Sequence, residues 1–86
     1  MKKLYLTIDD SPSPYTNQLV DYLVSRNIPA ILFVRGDMMA QHGTASITRA
    51  IEKGFLIGNH SYAHERTSDI GFDEQVRQIE VTQKLI

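Results

Sequence analysis

Two groups of side chains in this sequence have the chemistry of a metal site. Asp9 and Asp10 follow an apolar segment, and His60 and His64 lie four residues apart. Adjacent carboxylates of an extended segment point to opposite sides, so one can bind a metal while the other handles a proton. Two imidazoles at this spacing on a helical turn face one side and can bind one ion. Together the groups predict a site with two histidines, one aspartate and open positions for water and substrate, and the residues alone leave open which aspartate is the ligand.

Each group also has a simpler interpretation. Asp10 can cap a turn ahead of Pro12, and the histidines can be partly exposed loop residues. The zinc protease motif with this histidine spacing has a glutamate after its first histidine, whereas Ser61 stands there, so the pair brings ligands without a base of its own. Phosphoryl transfer through an aspartyl nucleophile fits less well, because that chemistry usually separates its two aspartates by one residue and these are adjacent.

Composition restricts the classes of protein to which the chain can belong. Its 86 residues make one domain at most, with a thin core. The net charge is −1 and no segment approaches the roughly 20 apolar residues of a membrane span, so we expect neither nucleic-acid nor membrane partners. Cysteine is absent, which excludes disulfides and thiolate ligands. Because residues 4–8 are too short for the apolar region of a signal peptide, we expect a cytoplasmic protein.

The elements that would position these side chains alternate between short strands and helices. Alternating apolar residues near the start of the chain, and a continuous apolar run further on, are typical of strands, the second one buried on both faces. The predicted elements are a strand over 3–8, a helix over 13–27, a strand over 29–34, short helices over 36–43 and 44–54, a strand over 55–59 and a helix over 72–86. The predicted helix caps are Ser13 and Thr44, and the predicted stops are Asn27, Gly43 and Gly54.

Apolar periodicity also predicts which faces of the first and last helices pack against the sheet. The predicted face of the first helix carries Tyr15, Leu19, Tyr22, Leu23 and Arg26. The predicted stripe of the last helix carries Phe72, Val76, Ile79 and Ile86.

The order β-α-β-α-β-α predicts an α/β fold, a parallel sheet with right-handed crossovers. A closed (β/α) barrel takes about 250 residues, so we expect the first part of a larger structure. Three parallel strands leave two open edges, and we therefore expect either self-association through them or a truncated product.

The two chemical groups resemble the motifs of the NodB-homology polysaccharide deacetylases, the fourth carbohydrate esterase family. The first family motif is T-F-D-D-G-P, and residues 7–12 read T-I-D-D-S-P. The second is H-(S/T)-x-x-H, and residues 60–64 read H-S-Y-A-H. Residues 30–36 are similar to the family strand that ends in F-V-x-G, and residues 54–60 to its G-H-E-I-G-N-H segment. The resemblance spans the whole chain, with both motifs in the family's order.

The resemblance implies a role for each of these residues. Asp10, His60 and His64 would bind a divalent metal, zinc first among the candidates, and Asp9 would be the catalytic base. Ser61 would support the motif loop through a hydrogen bond. The implied activity is that of a hydrolase of non-peptide C–N bonds that removes acetyl groups from N- or O-acetylated carbohydrate. The implied fold is the first part of a NodB-type distorted (β/α) barrel, with residues 1–86 as a partial domain.

Two departures from the family pattern affect these expectations. Ser11 replaces the glycine of the first motif, which raises the question whether this position needs a positive φ. The three later motifs, with an arginine that orients the base, groove residues and a histidine acting as general acid, are not among these residues. We therefore expect weak or no turnover by the chain alone. The alternative is a non-catalytic metal- or carbohydrate-binding remnant of the family.

Overall fold

Strands and helices alternate through residues 4–86, the part of the chain that the computed structural model describes. Three parallel strands form one sheet in the order β1-β2-β3, so the predicted parallel α/β arrangement is confirmed. The elements are β1 (Leu6–Ser11), α1 (Thr16–Ser25), β2 (Ala30–Val34), α2 (Gly36–His42), α3 (Ala45–Glu52), β3 (Leu56–Asn59) and α4 (Thr67–Leu85).

The core of the protein is built around β2, the middle strand. Ala30, Leu32 and Val34 are buried, and the residues between them are half-buried, because the strand has neighbours on both sides and helices over it. The continuous apolar run therefore predicted this strand correctly. The other buried apolar side chains come from α1, α2, α3 and the residue before β3: Val20, Leu23, Met39, Ile47, Ala50 and Phe55.

β1 runs over Leu6–Ser11, whereas the alternation predicted a strand over 3–8. The strand forms only where it has a partner, and Leu6 lies opposite Ala30, the first residue of β2. Leu4 is 94% exposed and precedes the strand, while Lys3 lies outside the described residues. The shift places both aspartates inside the strand rather than after it.

Most of the predicted helix boundaries agree with the structure. Asn27 follows α1 with a φ of 59°, and the two glycine stops have φ values of 78° and 93°. The predicted cap Ser13 instead shapes the turn ahead of α1: its amide donates to Oγ1 of Thr16 at 2.7 Å, and its Oγ accepts from the amide of Tyr15 at 3.1 Å. Thr44 stands at the start of α3 but makes no capping hydrogen bond through its side chain.

The predicted packing face of α1 is wrong. Thr16, Val20 and Leu23 point inward, and only Leu23 belongs to the predicted face. Tyr22 is 53% exposed. Apolar residues occur on several sides of this helix, so the periodicity did not define a single face.

The predicted apolar stripe of α4 is also wrong. Phe72 is 76% exposed and Ile79 is 52% exposed, whereas Gln78 and Thr82 are buried. The helical assignment begins earlier than predicted, but the backbone leaves helical geometry at Gly71 (φ 73°, ψ 171°), so continuous helix starts at residue 72 as predicted. Within the part of the chain that the structure describes, no helix combines the length and apolarity needed to cross a membrane.

Candidate metal centre

A bulge in β1 sets the position of Asp10. Asp9 lies opposite Phe33 and Ser11 lies opposite Val34, so Asp10 is the extra residue between two paired positions. Its φ is 64°. Bulges of this kind turn a side chain out of the strand ladder. The positive φ therefore falls on Asp10 and not on Ser11, and the serine that departs from the family pattern occupies an ordinary, buried strand position.

The segment that carries both histidines is a loop, so the helical turn that the sequence spacing suggested is wrong. Ser61 and His64 both have positive φ values, 64° and 58°. Hydrogen bonds inside the loop replace those of a helix: Ser61 donates its amide to Oδ1 of Asn59 at 3.0 Å, and Oγ of Ser61 accepts from the amide of His64 at 3.1 Å. The rings of His60 and His64 come together nonetheless, with centroids 4.6 Å apart.

Unfavourable backbone conformations are concentrated at this site. Among residues 4–86, four residues other than glycine have a positive φ, and three of them are Asp10, Ser61 and His64. This conformation costs roughly 1–2 kcal/mol per residue outside glycine, less for asparagine and aspartate, and persists only where neighbouring contacts hold it. Strain gathered around one cluster of metal-ligand side chains is typical of a functional site.

The cluster itself joins the carboxylate of Asp10 to the imidazoles of His60 and His64. One ligand atom from each lies within 4.8 Å of the others. Nε2 of His60 is 3.4 Å from Oδ1 of Asp10, yet it is buried and makes no hydrogen bond with any residue in the described part of the chain. A buried polar nitrogen without a partner is costly, and a cation held by all three side chains would satisfy it. The donor set therefore fits a divalent transition metal.

The remaining predicted residues lie beside the cluster. Asp9 is exposed, directly before Asp10 in β1, and does not belong to the group of converging ligand atoms. Its role as a base stays a prediction. Ser61 lies within the histidine loop and makes the hydrogen bond to the amide of His64 described above.

The start of α2 links the two motif segments through its backbone. Arg35 donates its amide to the carbonyl of Ser11 at 2.8 Å. The next two amides, of Gly36 and Asp37, donate to the carbonyls of Ser61 (3.0 Å) and Tyr62 (2.8 Å). These contacts fix the aspartate segment and the histidine loop relative to each other.

Helix α4 supports the histidine loop from another side. Oε1 of the buried Gln78 accepts a hydrogen bond from the amide of Ala63 at 3.0 Å. Nδ2 of Asn59 donates to the carbonyl of Ile79 at 2.9 Å. Gln78 faces inward, where its Oε1 supplies the acceptor that the amide of Ala63 needs.

An ion pair beside the cluster was not predicted as part of the site. Nε and Nη2 of Arg35 form two hydrogen bonds with the carboxylate of Asp37, at 3.0 and 2.6 Å. Nη1 of the same side chain is 3.7 Å from Oδ1 of Asp10. The hydrogen bond with Asp37 raises the pKa of Arg35 most, and the charge of Asp10 adds to the rise. The only signal in the sequence is the place of Arg35 at the carboxyl end of β2, where functional groups of parallel sheets gather.

Comparisons with known proteins identify the family of this chain. The polysaccharide deacetylase family matches residues 1–86. A chitooligosaccharide deacetylase of Rhizobium leguminosarum bv. trifolii is 31% identical over 86 residues, which are 99% of this chain and 40% of that protein. The peptidoglycan-N-acetylmuramic acid deacetylase PdaC of Bacillus subtilis (strain 168) is 35% identical over 86 residues, 99% of this chain and 18% of that protein.

Solved structures show the same fold. The structure of PdaC from Bacillus subtilis superimposes with a TM-score of 0.87 at 34% identity, over 94% of this chain and 40% of that one. A family 4 carbohydrate esterase from Streptomyces lividans gives a TM-score of 0.89 at 29% identity, over 95% of this chain and 42% of that one. The chain thus spans less than half the length of these relatives and has the fold of the amino-terminal part of NodB-type deacetylase domains. With its sequence matched from end to end, this chain belongs to the polysaccharide deacetylase family.

Proposed function

We propose that this chain binds one divalent transition metal, zinc first among the candidates, through Asp10, His60 and His64. The observation that carries the proposal is the convergence of their ligand atoms within 4.8 Å, with a buried Nε2 of His60 that has no hydrogen-bond partner among residues 4–86. Three protein ligands leave positions open for water and substrate. A cation held there polarises a carbonyl oxygen and lowers the pKa of water.

The other side chains of the site have proposed roles around these ligands. Asp9, exposed beside Asp10, takes a proton from the attacking water as general base. Ser61 holds the backbone of His64 in place through its 3.1 Å hydrogen bond. His42, the third histidine, is exposed at the end of α2 and is not part of the cluster, so it is not placed to protonate a leaving group.

The proposed reaction is hydrolytic removal of acetyl groups from N- or O-acetylated carbohydrate. The relatives are named as deacetylases of chitooligosaccharide and peptidoglycan, which supports this substrate class. We expect the 86 residues by themselves to bind the metal and to release acetate slowly or not at all. The alternative is a module that binds metal or carbohydrate without catalysis, and release of acetate separates the two.

Metal content is the first test of the proposal. We expect about one zinc ion per chain after zinc loading and desalting, with loss of the ion in Asp10→Ala and in His64→Ala. His42→Ala is the matched control, since it removes an exposed imidazole outside the cluster, and it should keep the ion. A wild-type chain without zinc, or equal loss in the control, would contradict the proposed ligands.

A second variant separates the proposed base from the ligands. Asp9→Asn should keep the metal while it abolishes acetate release from an acetylated chitooligosaccharide, whereas Asp10→Ala should lose both. No acetate release by a wild-type chain that holds zinc would favour the non-catalytic alternative.

We also propose that the open edges of the sheet associate with further copies of the chain. β1 and β3 are the edge strands, Leu6 is 43% exposed on the first, and Leu56 is 66% exposed on the second. Unpaired edges with exposed apolar side chains favour strand pairing between molecules. Light scattering after size exclusion should give a mass that rises with concentration, and a constant monomer mass would contradict the proposal.

A further inference from the structure

The guanidinium of Arg35 stands between two carboxylates, only one of which belongs to the proposed metal site. Asp37 binds it through two hydrogen bonds, whereas its Nη1 lies 3.7 Å from Oδ1 of Asp10, within ion-pair distance but beyond hydrogen-bond length. We propose that Asp37 is a positioning residue: it holds Arg35 off Asp10 and so keeps the Asp10 carboxylate available to a divalent cation. This inference rests on the proposed function, since it takes Asp10 as a ligand.

Hydrogen-bond geometry explains why the arginine stays with Asp37. Two parallel N–H···O bonds match the planar guanidinium to a carboxylate and are among the strongest pairings of side chains. Distances of 3.0 and 2.6 Å meet that geometry, whereas 3.7 Å exceeds hydrogen-bond length. The arginine side chain is 18% exposed and that of Asp37 is 30% exposed, so solvent screens the pair only in part.

The backbone fixes both residues at the centre of the site. The amides of Arg35 and Asp37 donate to the carbonyls of Ser11 and Tyr62, one in each motif segment. Neither residue can move away as a whole without breaking these bonds. If the carboxylate of Asp37 were lost, the guanidinium would need only a change of side-chain torsions to pair with Asp10.

A hydrogen bond between the guanidinium of Arg35 and the carboxylate of Asp10 would oppose metal binding at every accessible pH. The guanidinium does not lose its proton in proteins, so it would remain a competing cation on the same carboxylate. It would occupy Oδ1, the oxygen that also faces Nε2 of His60 at 3.4 Å. Asp37 thus matters for the site through Arg35 and without touching the metal itself.

The proposal predicts effects of opposite sign in two single variants. Titration with Co²⁺, followed by its visible absorption and by calorimetry, should give weaker binding for Asp37→Asn, by roughly threefold to tenfold. Arg35→Met should bind at least as tightly as wild type. In the double variant the loss caused by Asp37→Asn should disappear, because the competing cation is gone.

Controls distinguish the positioning role of Asp37 from a role in stabilising the fold and from an effect of the net charge on Co²⁺ affinity. Asp21→Asn breaks the ion pair with Arg49 elsewhere on the surface and changes the net charge equally, so it should leave the Co²⁺ affinity within twofold of wild type. If Asp37 only stabilised the fold, the affinity of the double variant would be as low as that of Asp37→Asn or lower. That result would overturn the inference, as would wild-type affinity in Asp37→Asn.

The experiment also separates failure of this inference from failure of the proposed function. A wild-type chain that does not bind Co²⁺ would overturn the metal site and this inference with it. Co²⁺ binding by wild type that is lost in Asp10→Ala but unchanged in Asp37→Asn would overturn the inference alone. If circular dichroism shows that Asp37→Asn does not fold, the Co²⁺ affinities of the double variant and of Arg35→Met test the inference instead. Both variants must bind Co²⁺ at least as tightly as wild type, and weaker binding by either would overturn the inference.

Discussion

Replacing Gln78 with leucine tests whether α4 holds the histidine loop in place. Gln78 is 1% exposed, and its Oε1 is the acceptor for the amide of Ala63, the residue before His64. Leucine fills a similar volume but accepts no hydrogen bond. A buried donor left without an acceptor costs about 1–3 kcal/mol, and burial of an apolar group in place of the amide offsets part of it. We expect Gln78→Leu to lower the free energy of unfolding by about 1–2 kcal/mol.

Urea unfolding at neutral pH measures this loss. The matched control is Gln18→Leu, which makes the same chemical change at an exposed position of α1 and should change the stability by less than about 0.5 kcal/mol. The denaturant dependence should be the same in both variants, since neither alters the surface exposed on unfolding by much. If Gln78→Leu is as stable as Gln18→Leu, the hydrogen bond does not hold the loop and the reasoning fails.

Three further changes test other parts of the structure. Gly36→Ala should cost about 1–3 kcal/mol in urea unfolding, because a Cβ would come within 2.5 Å of Oγ1 of Thr82, and a loss below about 0.5 kcal/mol would contradict that packing. The hydrogen bond from Arg77 lowers the pKa of Glu74 below its ordinary 4.5. The pair therefore stabilises the fold above pH 4.5, and this contribution is lost as the pH falls through the folded-state pKa of Glu74. The unfolding midpoint of wild type should exceed that of Glu74→Gln at pH 6 and converge with it in acid, and equal midpoints at pH 6 would refute the linkage. Ile79→Ser should lower the free energy of unfolding by less than about 1 kcal/mol, since the side chain is 52% exposed. A loss above about 2 kcal/mol would mean that Ile79 packs against the fold, as the predicted stripe required.

The middle of the sheet was predictable because its local signals agree with its surroundings. β2 combines a continuous apolar run with a position that has strands on both sides. The ends of the neighbouring helices were equally clear, since Asn27, Gly43 and Gly54 all adopt positive φ values where the sequence predicted stops. Residues of these types tolerate that conformation at little cost, so the type of residue indicates the backbone.

The inward faces of the helices were not predictable because they depend on what lies opposite. In α4 the side that packs carries Gln78 and Thr82, and the apolar Phe72 and Ile79 remain exposed. Apolar periodicity assumes that the surface opposite a helix is apolar. Here part of it is a loop whose amide at Ala63 needs an acceptor.

The sequence predicted which residues form the candidate site, but it did not predict the geometry that brings them together. Residue type and order brought the two aspartates, His60 and His64 into one hypothesis, and the family resemblance selected Asp10 as the ligand. The structure places the ligand atoms of Asp10, His60 and His64 within 4.8 Å of one another. The bulge at Asp10 and the positive φ of Ser61 carry no sequence signal strong enough to predict them. Both depend on hydrogen bonds to other segments, which a local pattern does not contain.

The carboxyl end of β2 contacts both segments that carry the proposed ligands. The carbonyl of Val34 accepts the amide of His60 at 2.8 Å, and the next residue, Arg35, donates its amide to Ser11. The carboxyl end of β2 therefore joins the aspartate strand to the start of the histidine loop through the main chain, whatever the side chains are. Side chains act one step later: by our proposal, Asp37 keeps the guanidinium of Arg35 beyond hydrogen-bond distance of Asp10. In the proposed metal site the sheet fixes the position of the ligands and the Arg35–Asp37 ion pair adjusts the affinity, so we expect changes at these two residues to alter metal binding far more than they alter the fold.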